Sequence, residues 1–595
     1  MLDLRIYRAA FLPVLFAVLV VAFSLQDRPR PLDTTFAADA FDPARASTLL
    51  GDLAAAFPDR RPGSAGDEAL ARVVERDLRA IVPGSQVGAD PLVRVQHVQA
   101  ETIDGERRIT NVIATRPGAP GPGIVVVAHR DAAGHGARAE LSGTAALLEL
   151  ARVAGDGRLR RTITFVSTSG GSGGAAGAVA AISALPTPVD AVLVLGDLAG
   201  VAVHKPFVVG FSNGHGMAPL RLRRTVETAV RGEAGVDPGG PRAAVQWARQ
   251  AAPVTLGEQG AFGRHGLPAV LLSVSGERSP AADAPVSERR LGTFGRAALR
   301  SITALDQGPD IATGPQELLV TRRKVLPGWA IRLLVAALML PVLVATVDGF
   351  ARVRRRRGDV GRSLRWVGLT ALPFAVTAAV ARLLAMVGLL SPAPAGPVPG
   401  GAIPVGGTAL AALAVLVLTF ALAWLGLRPI GLRVFGARGR PDGAGPAAAV
   451  AVALCALVAV AWVLNPFAAA LLVPAAHLWL LSTAPEVSLP RPAAVAAVLL
   501  GLVPLLAVAV VDAASLGLSP GQAAWTAVLL VAGGHVTASA WLGASLLAGC
   551  AVAAVMITLR PPPAPAAGPG DVTVRGPLTY AGPGSLGGTE SALRS

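Results

Sequence analysis

The chain has 595 residues, of which 52% are hydrophobic, and its mean hydropathy is +0.55. This length exceeds that of one domain and this hydropathy exceeds that of a soluble protein, so the composition predicts a membrane protein. The net charge of +15 comes almost entirely from arginine, which we attribute to the codon bias of a GC-rich bacterium and to charges at membrane edges, so we expect no nucleic-acid partner.

The amino terminus carries an apolar run, residues 9–25, preceded by Arg5 and Arg8. The run is near the lower length limit for crossing a bilayer, and no clean small-x-small cleavage site follows it. We therefore expect residues 1–27 to be an uncleaved transmembrane signal anchor rather than a cleaved signal peptide. Because positive charge stays on the cytoplasmic side, the chain that follows is expected outside the cytoplasm.

Residues 28–320 are predicted to form one extracytoplasmic α/β domain, because strand-like runs alternate with amphipathic helical stretches. Strands are predicted at residues 108–115, 124–128, 162–167, 191–195, 207–211 and 269–273. Helices are predicted at residues 67–81, 142–154, 175–184, 219–230 and 286–305.

Two loops follow predicted strands and lead into predicted helices. The first carries His129 and Asp131 at the end of an apolar β-branched run and leads to Ser142 and Gly143. The second, residues 167–174, has the sequence STSGGSGG and holds almost no reactive side chain. In a parallel sheet both loops lie at the carboxyl edge of the strands, where ligands bind. The candidate chemistry therefore concentrates on the His-x-Asp pair.

Six stretches occur in the order seen in zinc aminopeptidases of metallopeptidase family twenty-eight. They are FPDRRPGSAGDE, ITNVIATRPG, IVVVAHRDAAGHGARAELSGTAALLELAR, TITFVSTSGGSGGAAGA, VLVLGDLAG and AFGRHGLPAVLLS. The chain resembles this family over essentially the whole soluble domain. The resemblance implies a three-layer αβα sandwich around a mixed sheet. It also implies a site in which two zinc ions share a bridging carboxylate and activate a water for amide hydrolysis.

Residue by residue, the resemblance assigns only a remnant of that site. His129 matches a zinc ligand, and Asp197 matches another ligand of the same zinc. Asp131 matches the carboxylate that orients the imidazole. Ala139 stands in the place of the bridging Asp, so no side chain there can join two metal ions.

The remaining positions of the implied site are also changed. Gly171 and Ser172 stand in place of a Glu pair that supplies the general base and a ligand of the second zinc. Gln259 stands where a Ser-Asp-His motif usually ends, and the late ligand His corresponds to Arg278 or Ser279. A catalytic zinc normally has about three protein ligands, so two are expected to hold it poorly. Loss of a positioned base typically lowers the catalytic rate by about 10²–10⁴-fold.

We therefore expect a catalytically degenerate binding or regulatory domain, with no cofactor or with a single residual zinc. Its ligand would be a peptide, a protein or an envelope component. In this interpretation His129 and Asp131 are a hydrogen-bonded pair retained from an ancestral site. The alternative is an active zinc-dependent aminopeptidase with a non-standard site, in which Glu140 or His135 becomes the third ligand of the zinc at His129.

Residues 171–176 also fit the pattern G-x-G-x-x-A after a strand. Asp197 follows about 20 residues beyond the turn, as in dinucleotide-binding folds. An external domain rarely meets NAD, and glycine is equally expected where two Glu codons have drifted to small residues. We therefore place this interpretation behind the other two.

The chain becomes apolar after Arg322, Arg323 and Lys324, which we interpret as a juxtamembrane stop. Residues 326–560 are predicted to form an all-α polytopic membrane domain of about eight spans. The spans are predicted at residues 329–349, 366–390, 408–427, 446–464, 467–482, 493–511, 522–537 and 540–559. Cys455 and Cys550 lie in these runs, which excludes a disulfide framework.

Arginine-dense loops set the predicted orientation in the lipid bilayer. One covers residues 352–365, and the other holds Arg428, Arg433, Arg438 and Arg440. The positive-inside preference places both in the cytoplasm, in agreement with an external soluble domain. The Pro- and Gly-rich tail, residues 561–595, is predicted to be disordered.

Ionisable residues within the predicted spans are Arg382, His477, Asp512 and His535. Intramembrane charge is a functional hypothesis by default, so a transporter-like membrane domain regulated by the soluble domain is a further alternative. Structural anchoring is the plainer interpretation, because no repeated or paired pattern connects these residues. A family-type domain followed by many spans resembles the endoplasmic-reticulum metallopeptidase and vacuolar membrane protease branch. We expect a multi-pass protein of a bacterial cell membrane.

Overall fold

The computed structural model describes residues 3–82, 92–155, 159–311, 314–390, 396–398, 401–437, 444–484, 486–487 and 489–560. Two predictions fall outside these residues. They are the cytoplasmic placement of Arg438 and Arg440, and the disorder of the tail, residues 561–595.

The amino-terminal half alternates helices and strands. In chain order its elements are α1 (Leu4–Ala9), α2 (Leu12–Phe23), β1 (Gln26–Asp27), α3 (Pro43–Ala56), α4 (Ala65–Ile81), β2 (Val93–Thr102), β3 (Gly105–Arg116), β4 (Ala119–His129), α5 (Arg138–Gly155), β5 (Arg161–Thr168), α6 (Ala176–Ile182), β6 (Val189–Leu195), β7 (Val208–Val209), α7 (Leu220–Ala234), α8 (Ala243–Ala251), α9 (Gln259–Arg264), β8 (Ala269–Leu272), α10 (Glu288–Gln307), β9 (Leu318–Val320) and β10 (Lys324–Pro327).

Within the described residues, seven strands form one mixed sheet in the order β2-β3-β5-β4-β6-β8-β7. The central strands β5, β4, β6 and β8 run parallel, while β2, β3 and β7 pair antiparallel at the two sides. The parallel strands end at one edge, so the loops that follow β4, β5 and β6 open side by side. This confirms the predicted α/β fold with a mixed sheet.

Alternate residues of the central strands enter two separate cores. In β4, Val126 and Ala128 pack with α3, α4, α5, α7 and α10 on one face. Val125 and Val127 of the same strand pack with α6 and α9 on the opposite face. Because side chains alternate along a strand, a strand buried on both faces is apolar at every position. The result is the predicted three-layer αβα arrangement.

Gly143 shows how closely α5 packs on the sheet. A Cβ at this position would lie 2.5 Å from the carbonyl oxygen of Leu195 and 2.7 Å from that of Gly196. The Ser-Gly pair at the start of α5 is therefore required for the helix to approach the end of β6. This approach brings the first turn of α5 to the edge where β4 and β6 end.

The structure contains elements that the sequence patterns did not predict. Strand β2 is a long edge strand, half of whose side chains are polar and partly exposed, and helices α3, α8 and α9 are also additional to the predicted elements. The strand predicted at residues 207–211 is reduced to Val208–Val209. The basic segment before the first span of the apolar half forms a strand, since Lys324–Pro327 pairs with both Gln26–Asp27 and Leu318–Val320.

The carboxyl-terminal half consists of apolar helices. They are α11 (Gly328–Arg355), α12 (Val360–Met386), α13 (Gly407–Leu422), α14 (Arg428–Val434), α15 (Gly445–Leu464), α16 (Pro466–Thr483), α17 (Arg491–Leu500), α18 (Val503–Leu516), α19 (Pro520–Ala532) and α20 (Ala538–Thr558). A π-helical turn, Ala423–Leu427, joins α13 to α14. In the part of the chain that the structure describes, seven helices are long and apolar enough to cross a membrane, when Leu4–Phe23 at the amino terminus and Gly407–Val434 are each counted as one helix. The number is eight if α17 and α18 form one span.

Two predicted spans take a different form. The span predicted at residues 493–511 is a helix pair bent by 40° between α17 and α18. Gly501 packs against Trp479 at the bend, and Pro504 opens the second helix, which are ordinary causes of a helix break. The span predicted at residues 522–537 is α19, which has only 13 residues and is too short to cross a bilayer unaided.

Two of the ionisable side chains in the predicted spans, His477 and Arg382, bond to neighbouring helices. His477 Nδ1 lies 2.6 Å from the hydroxyl of Tyr7, and its Nε2 lies 2.9 Å from the carbonyl oxygen of Leu338. Arg382 donates to the carbonyl oxygen of Ala532 at 2.9 Å. The contact with Tyr7 ties the amino-terminal helix into the bundle. These partners give His477 and Arg382 an anchoring role in the structure.

The soluble domain and the apolar helices share direct contacts. The Trp247 indole donates to the carbonyl oxygen of Phe467 at 3.1 Å, and the two rings meet edge to face. The Asn465 amide donates to the carbonyl oxygen of Gln250 at 2.8 Å, while its side-chain oxygen caps α16. The domain is thus packed onto the bundle as well as tethered to it.

Candidate functional site

The candidate site lies where β4, β5 and β6 end. His129 is the last residue of β4, and Asp197 follows β6 by two residues. The two side chains line one cavity of about 440 Å³, together with Glu140 from the first turn of α5 and with Gly171 and Ser172 from the loop after β5. The structure therefore brings most of the predicted site residues together.

Asp131 is bonded to the loop that follows β5. Its carboxylate accepts hydrogen bonds from the amides of Gly171 and Ser172, each at 3.0 Å, and from the Ser172 hydroxyl. His129 Nδ1 lies 3.1 Å from the carbonyl oxygen of Asp131 and 3.7 Å from its carboxylate. Because both loop amides already donate to Asp131, they do not form the phosphate cradle that a dinucleotide site requires.

Asp197 is also bonded locally. One carboxylate oxygen accepts from the amides of Ala199 at 3.0 Å and Gly200 at 2.7 Å. Burial raises the pKa of this carboxyl above its ordinary value, although these amides act in the opposite direction. Asp197 therefore stabilises its own turn at the cavity wall.

Glu140 and His135 differ in their relation to His129. Glu140 is only 5% exposed and faces the same cavity as His129, whereas His135 is exposed on the loop outside it. One oxygen of Glu140 is buried without a hydrogen-bond partner among the described residues. Ala139, at the position of the implied bridging Asp, is fully buried and does not line the cavity. Glu140 is thus the candidate that the structure places near His129.

Glu258 is a site residue that the sequence analysis missed. It is 2% exposed, lines the cavity, and accepts a hydrogen bond from the Thr168 hydroxyl at 2.6 Å. Its second oxygen is buried without a partner in the described part of the chain. The available signal was its place directly before Gln259, since it occupies the acidic position of the altered Ser-Asp-His triplet.

The backbone at Gly171 has no room for a glutamate side chain. A Cβ built on Gly171 would lie 2.3 Å from the Cβ of His129 and 3.1 Å from the carboxyl carbon of Glu258. Real Cβ atoms do not approach other atoms this closely, so any larger side chain must displace the loop. A glutamate at this position would therefore require a different path of the loop.

The other altered positions serve packing and docking. The Gln259 amide donates to the Thr255 hydroxyl at 2.9 Å and to the carboxylate of Glu277 at 3.3 Å, and Gln259 does not itself line the cavity. Arg278 donates to the carbonyl oxygens of Ala514 at 2.8 Å and Ser515 at 3.4 Å, in the last turn of α18. A cation is favourable at a helix carboxyl terminus, so the position of the implied late His now holds the soluble domain against α18. Its neighbour Ser279 is exposed at the cavity mouth.

The residues do not meet the requirements of a zinc centre. Among the residues that the structure describes, no three His, Cys, Asp or Glu side chains are grouped so that they could hold a metal ion. His129, Glu140, Asp197 and Glu258 share a cavity but do not converge on one point, and a stable zinc site uses about three converging ligands. The arrangement offers an acidic cavity with one imidazole at its wall.

A family comparison agrees with this position of the site. Residues 111–226 match the model of Peptidase family M28. The matched segment includes every altered or retained position from His129 to Asp197, and it ends before Glu258, Gln259 and Arg278. We refer below to the soluble domain as the M28-like domain. A comparison with curated proteins finds no match.

Solved structures with related folds include peptidases and cyclases. The LapA aminopeptidase of Legionella pneumophila is 12% identical, with a TM-score of 0.37, over 47% of this chain and 76% of that chain. A glutaminyl cyclase of Porphyromonas gingivalis is 16% identical, with a TM-score of 0.31, over 44% of this chain and 98% of that chain. A putative zinc-dependent exopeptidase of Bacteroides vulgatus gives the same identity and TM-score, over 44% of this chain and 96% of its own.

We expect Gly171→Ala to destabilise the M28-like domain. The added methyl group would collide with His129, and such overpacking typically costs about 1–3 kcal/mol. The matched control is Gly240→Ala, since a Cβ at Gly240 meets open space. Chemical unfolding of the purified full chain measures both variants. Equal stability of Gly171→Ala and wild type would contradict the described path of the loop.

We also expect the free energy of unfolding to fall as pH rises toward neutrality. Burial raises the pKa of Glu140 to about 7 and that of Glu258 to about 6. The folded chain therefore binds more protons than the unfolded chain above the ordinary glutamate pKa, and this contribution to stability is lost as pH rises through the folded values. Burial lowers the pKa of His129, but Asp131, Glu258 and Glu140 together raise it further, so His129 acts in the same direction.

The free energy of unfolding, measured from unfolding curves, should fall by about 1–3 kcal/mol between about pH 5 and about pH 8. Glu140→Gln and Glu258→Gln should each flatten the curve, because an amide does not titrate in this range. Glu75→Gln, which removes an outer ion pair with Arg79, is the control and should leave the slope unchanged. A slope that neither cavity variant alters would exclude these carboxyls as its source.

Proposed function

We propose that this chain is a multi-pass membrane protein whose M28-like domain is a catalytically degenerate binding or regulatory module. One observation carries the proposal. The backbone of Gly171 lies against His129, where the family resemblance implies a glutamate side chain, and the loop that contains it is bonded to Asp131. No general base can be restored at this position without moving the loop. Typical hydrolysis by this family would lack a positioned base, which is worth about 10²–10⁴-fold in rate.

The second candidate is an active zinc-dependent aminopeptidase with a non-standard site. What favours it is that Glu140 and Glu258 share the cavity with His129 and Asp197. Both carboxyls lie outside the two-zinc arrangement that the resemblance implies. The same resemblance supports an architecture like that of the endoplasmic-reticulum metallopeptidase and vacuolar membrane protease branch, in which such a domain precedes many spans.

Zinc content and aminopeptidase turnover of the purified full chain separate the two candidates. We expect substoichiometric zinc after dialysis against zinc, and no zinc-dependent hydrolysis of aminoacyl substrates. His129→Ala should change neither measurement, and His97→Ala is its control, because His97 bonds to Thr110 on β3, away from the cavity. The degenerate assignment would be wrong if the wild-type chain binds stoichiometric zinc and hydrolyses these substrates, and if His129→Ala loses the zinc. Glu140 would then be the next residue to replace.

We further propose that the M28-like domain lies outside the cytoplasm in a bacterial cell membrane. The arginines that end α11 support this orientation through the positive-inside preference. In intact cells, a membrane-impermeant maleimide should label Asp283→Cys but should label Arg355→Cys only after permeabilisation. Both positions are exposed, and the wild-type chain gives the background from Cys455 and Cys550. The reverse labelling pattern would place the domain in the cytoplasm.

A further inference from the structure

The cavity of the M28-like domain is closed partly by the membrane half. Six of its lining residues come from there: Gly401, Ala402, Leu516, Gly517, Leu518 and Gln522. Arg278 fixes this contact through its bonds to the end of α18, and Arg249 adds a 3.1 Å bond to the Ser515 hydroxyl. The site therefore lies at the junction between the soluble domain and the ends of the apolar helices.

The floor of the cavity carries more negative than positive charge. His129 interacts electrostatically with Asp131, Glu140 and Glu258. Arg60 interacts electrostatically with Glu140, Asp131 and Asp67, and its guanidinium bonds to carbonyl oxygens of the surrounding loops. Glu277 is already paired with Arg249 at 2.7 Å and Asp67 with Arg130 at 2.9 Å.

With those two pairs set aside, three cations face four carboxyl groups: His129, Arg60 and Arg278 against Asp131, Glu140, Asp197 and Glu258. An excess of negative charge in a desolvated cavity is costly unless a cation compensates it. The cavity is therefore electrostatically suited to a positively charged ligand.

Three carboxylate oxygens of cavity-lining residues have no hydrogen-bond partner in the described part of the chain. They are Glu140 Oε2, Glu258 Oε2 and Asp197 Oδ2, and each belongs to a residue that is at least nine-tenths buried. Buried polar atoms without partners are rare, and each carries a desolvation cost. In the ionised form a carboxylate only accepts hydrogen bonds, so the partner that satisfies these oxygens in that form is a donor.

The opposite side of the cavity is apolar and continues into the bundle. Ala402 lines the cavity and also packs against a hydrophobic cluster that includes Leu384, Leu390, Ile403 and Trp525. Beside this cluster, at the end of α12, Met386 is 75% exposed and Val387 is 59% exposed, as expected of side chains in contact with lipid. An apolar surface thus leads from the span ends to the acidic floor.

We propose that this cavity binds the ammonium head group of an amphiphile whose apolar chain lies along the membrane half. This rests on the proposed function, because it gives the acidic floor a role in binding instead of in zinc chemistry. The ammonium N–H groups donate to Glu140 and Glu258, and its charge offsets the excess of carboxylates. The chain passes Ala402 and Leu518 toward the bilayer. A quaternary ammonium carries the charge but has no N–H, so it is a weaker ligand.

The test uses the full chain in phosphatidylcholine nanodiscs, with thermal unfolding as the readout of binding. The probes are dodecylamine, ethylamine, dodecanol and dodecyltrimethylammonium. Dodecylamine should raise the melting temperature, and ethylamine should require at least about tenfold higher concentration, because it lacks the apolar chain. Dodecanol should have no effect. If ethylamine is as potent as dodecylamine, the apolar chain has no role in binding and the amphiphile proposal is wrong. If dodecanol is as potent as dodecylamine, the ammonium group has no role and the proposal is also wrong.

Variants locate the binding site. Glu258→Gln and Glu140→Gln should each weaken the response to dodecylamine by about 10–100-fold, as expected for the loss of a charge-assisted hydrogen bond. Glu75→Gln is the matched control for nonspecific partition into the lipid. Ala402→Trp should weaken the response to dodecylamine but leave the response to ethylamine unchanged. If one glutamine variant does not fold, the other tests the same contact. Unchanged responses in the folded variants would refute this location.

The test of amphiphile binding and the test of the proposed function can fail independently of each other. A chain that neither hydrolyses aminoacyl substrates nor responds to any amine keeps its degenerate assignment and loses the amphiphile. A chain with zinc-dependent turnover loses the degenerate assignment whatever its response to dodecylamine.

Discussion

The site depends on one fully buried ion pair that fixes the ends of the strands around it. Arg130, between His129 and Asp131, lies 2.9 Å from the carboxylate of Asp67 in α4, and both side chains are at most 1% exposed. The same guanidinium donates to the carbonyl oxygens of Thr110 and Ser167 on β3 and β5. Removing one member of such a pair typically costs about 3–5 kcal/mol, because the other charge stays buried. The scaffold that orients His129 is therefore held by protein contacts alone.

The residues at the other positions of the implied site have contacts of their own. Ser172 and Gly171 bond to Asp131, and Gln259 bonds to Thr255. Each of these contacts satisfies polar groups that would otherwise be buried without partners. Glu140, Glu258, Asp197 and Gln259 each keep one side-chain oxygen without a partner among the described residues. Three of these four oxygens belong to carboxyl groups that line the cavity, which directs attention to a ligand there.

The junction with the membrane half gives the site a setting different from that of a free soluble domain. Arg278 and Arg249 reach the last turn of α18, while Trp247 and Asn465 join α8 to the start of α16. The helix that Arg278 holds is the second part of a bent pair. Since α18 supplies part of the cavity wall, any displacement of this helix would change the shape of the cavity. The two halves of the chain are thus coupled through one shared surface.

The sequence by itself determined the parts of this protein that rest on local pattern. Apolar β-branched runs predicted β4, β5 and β6, the amphipathic pattern predicted α4, and run length predicted most of the spans, because burial on two faces, on one stripe or in lipid each leaves a distinct periodicity. The motifs also placed His129, Asp131 and Asp197 together. Only the tertiary structure revealed Glu258 as a site residue, because its partner Thr168 is 90 residues away. The same holds for Arg278, whose role depends on a helix end 236 residues further along the chain. Edge strand β2 and the break in the span at Gly501 were likewise missed, since pairing with β3 and packing against Trp479 decide them. Contacts between residues distant in sequence leave no periodicity, so they appear only when the chain is folded.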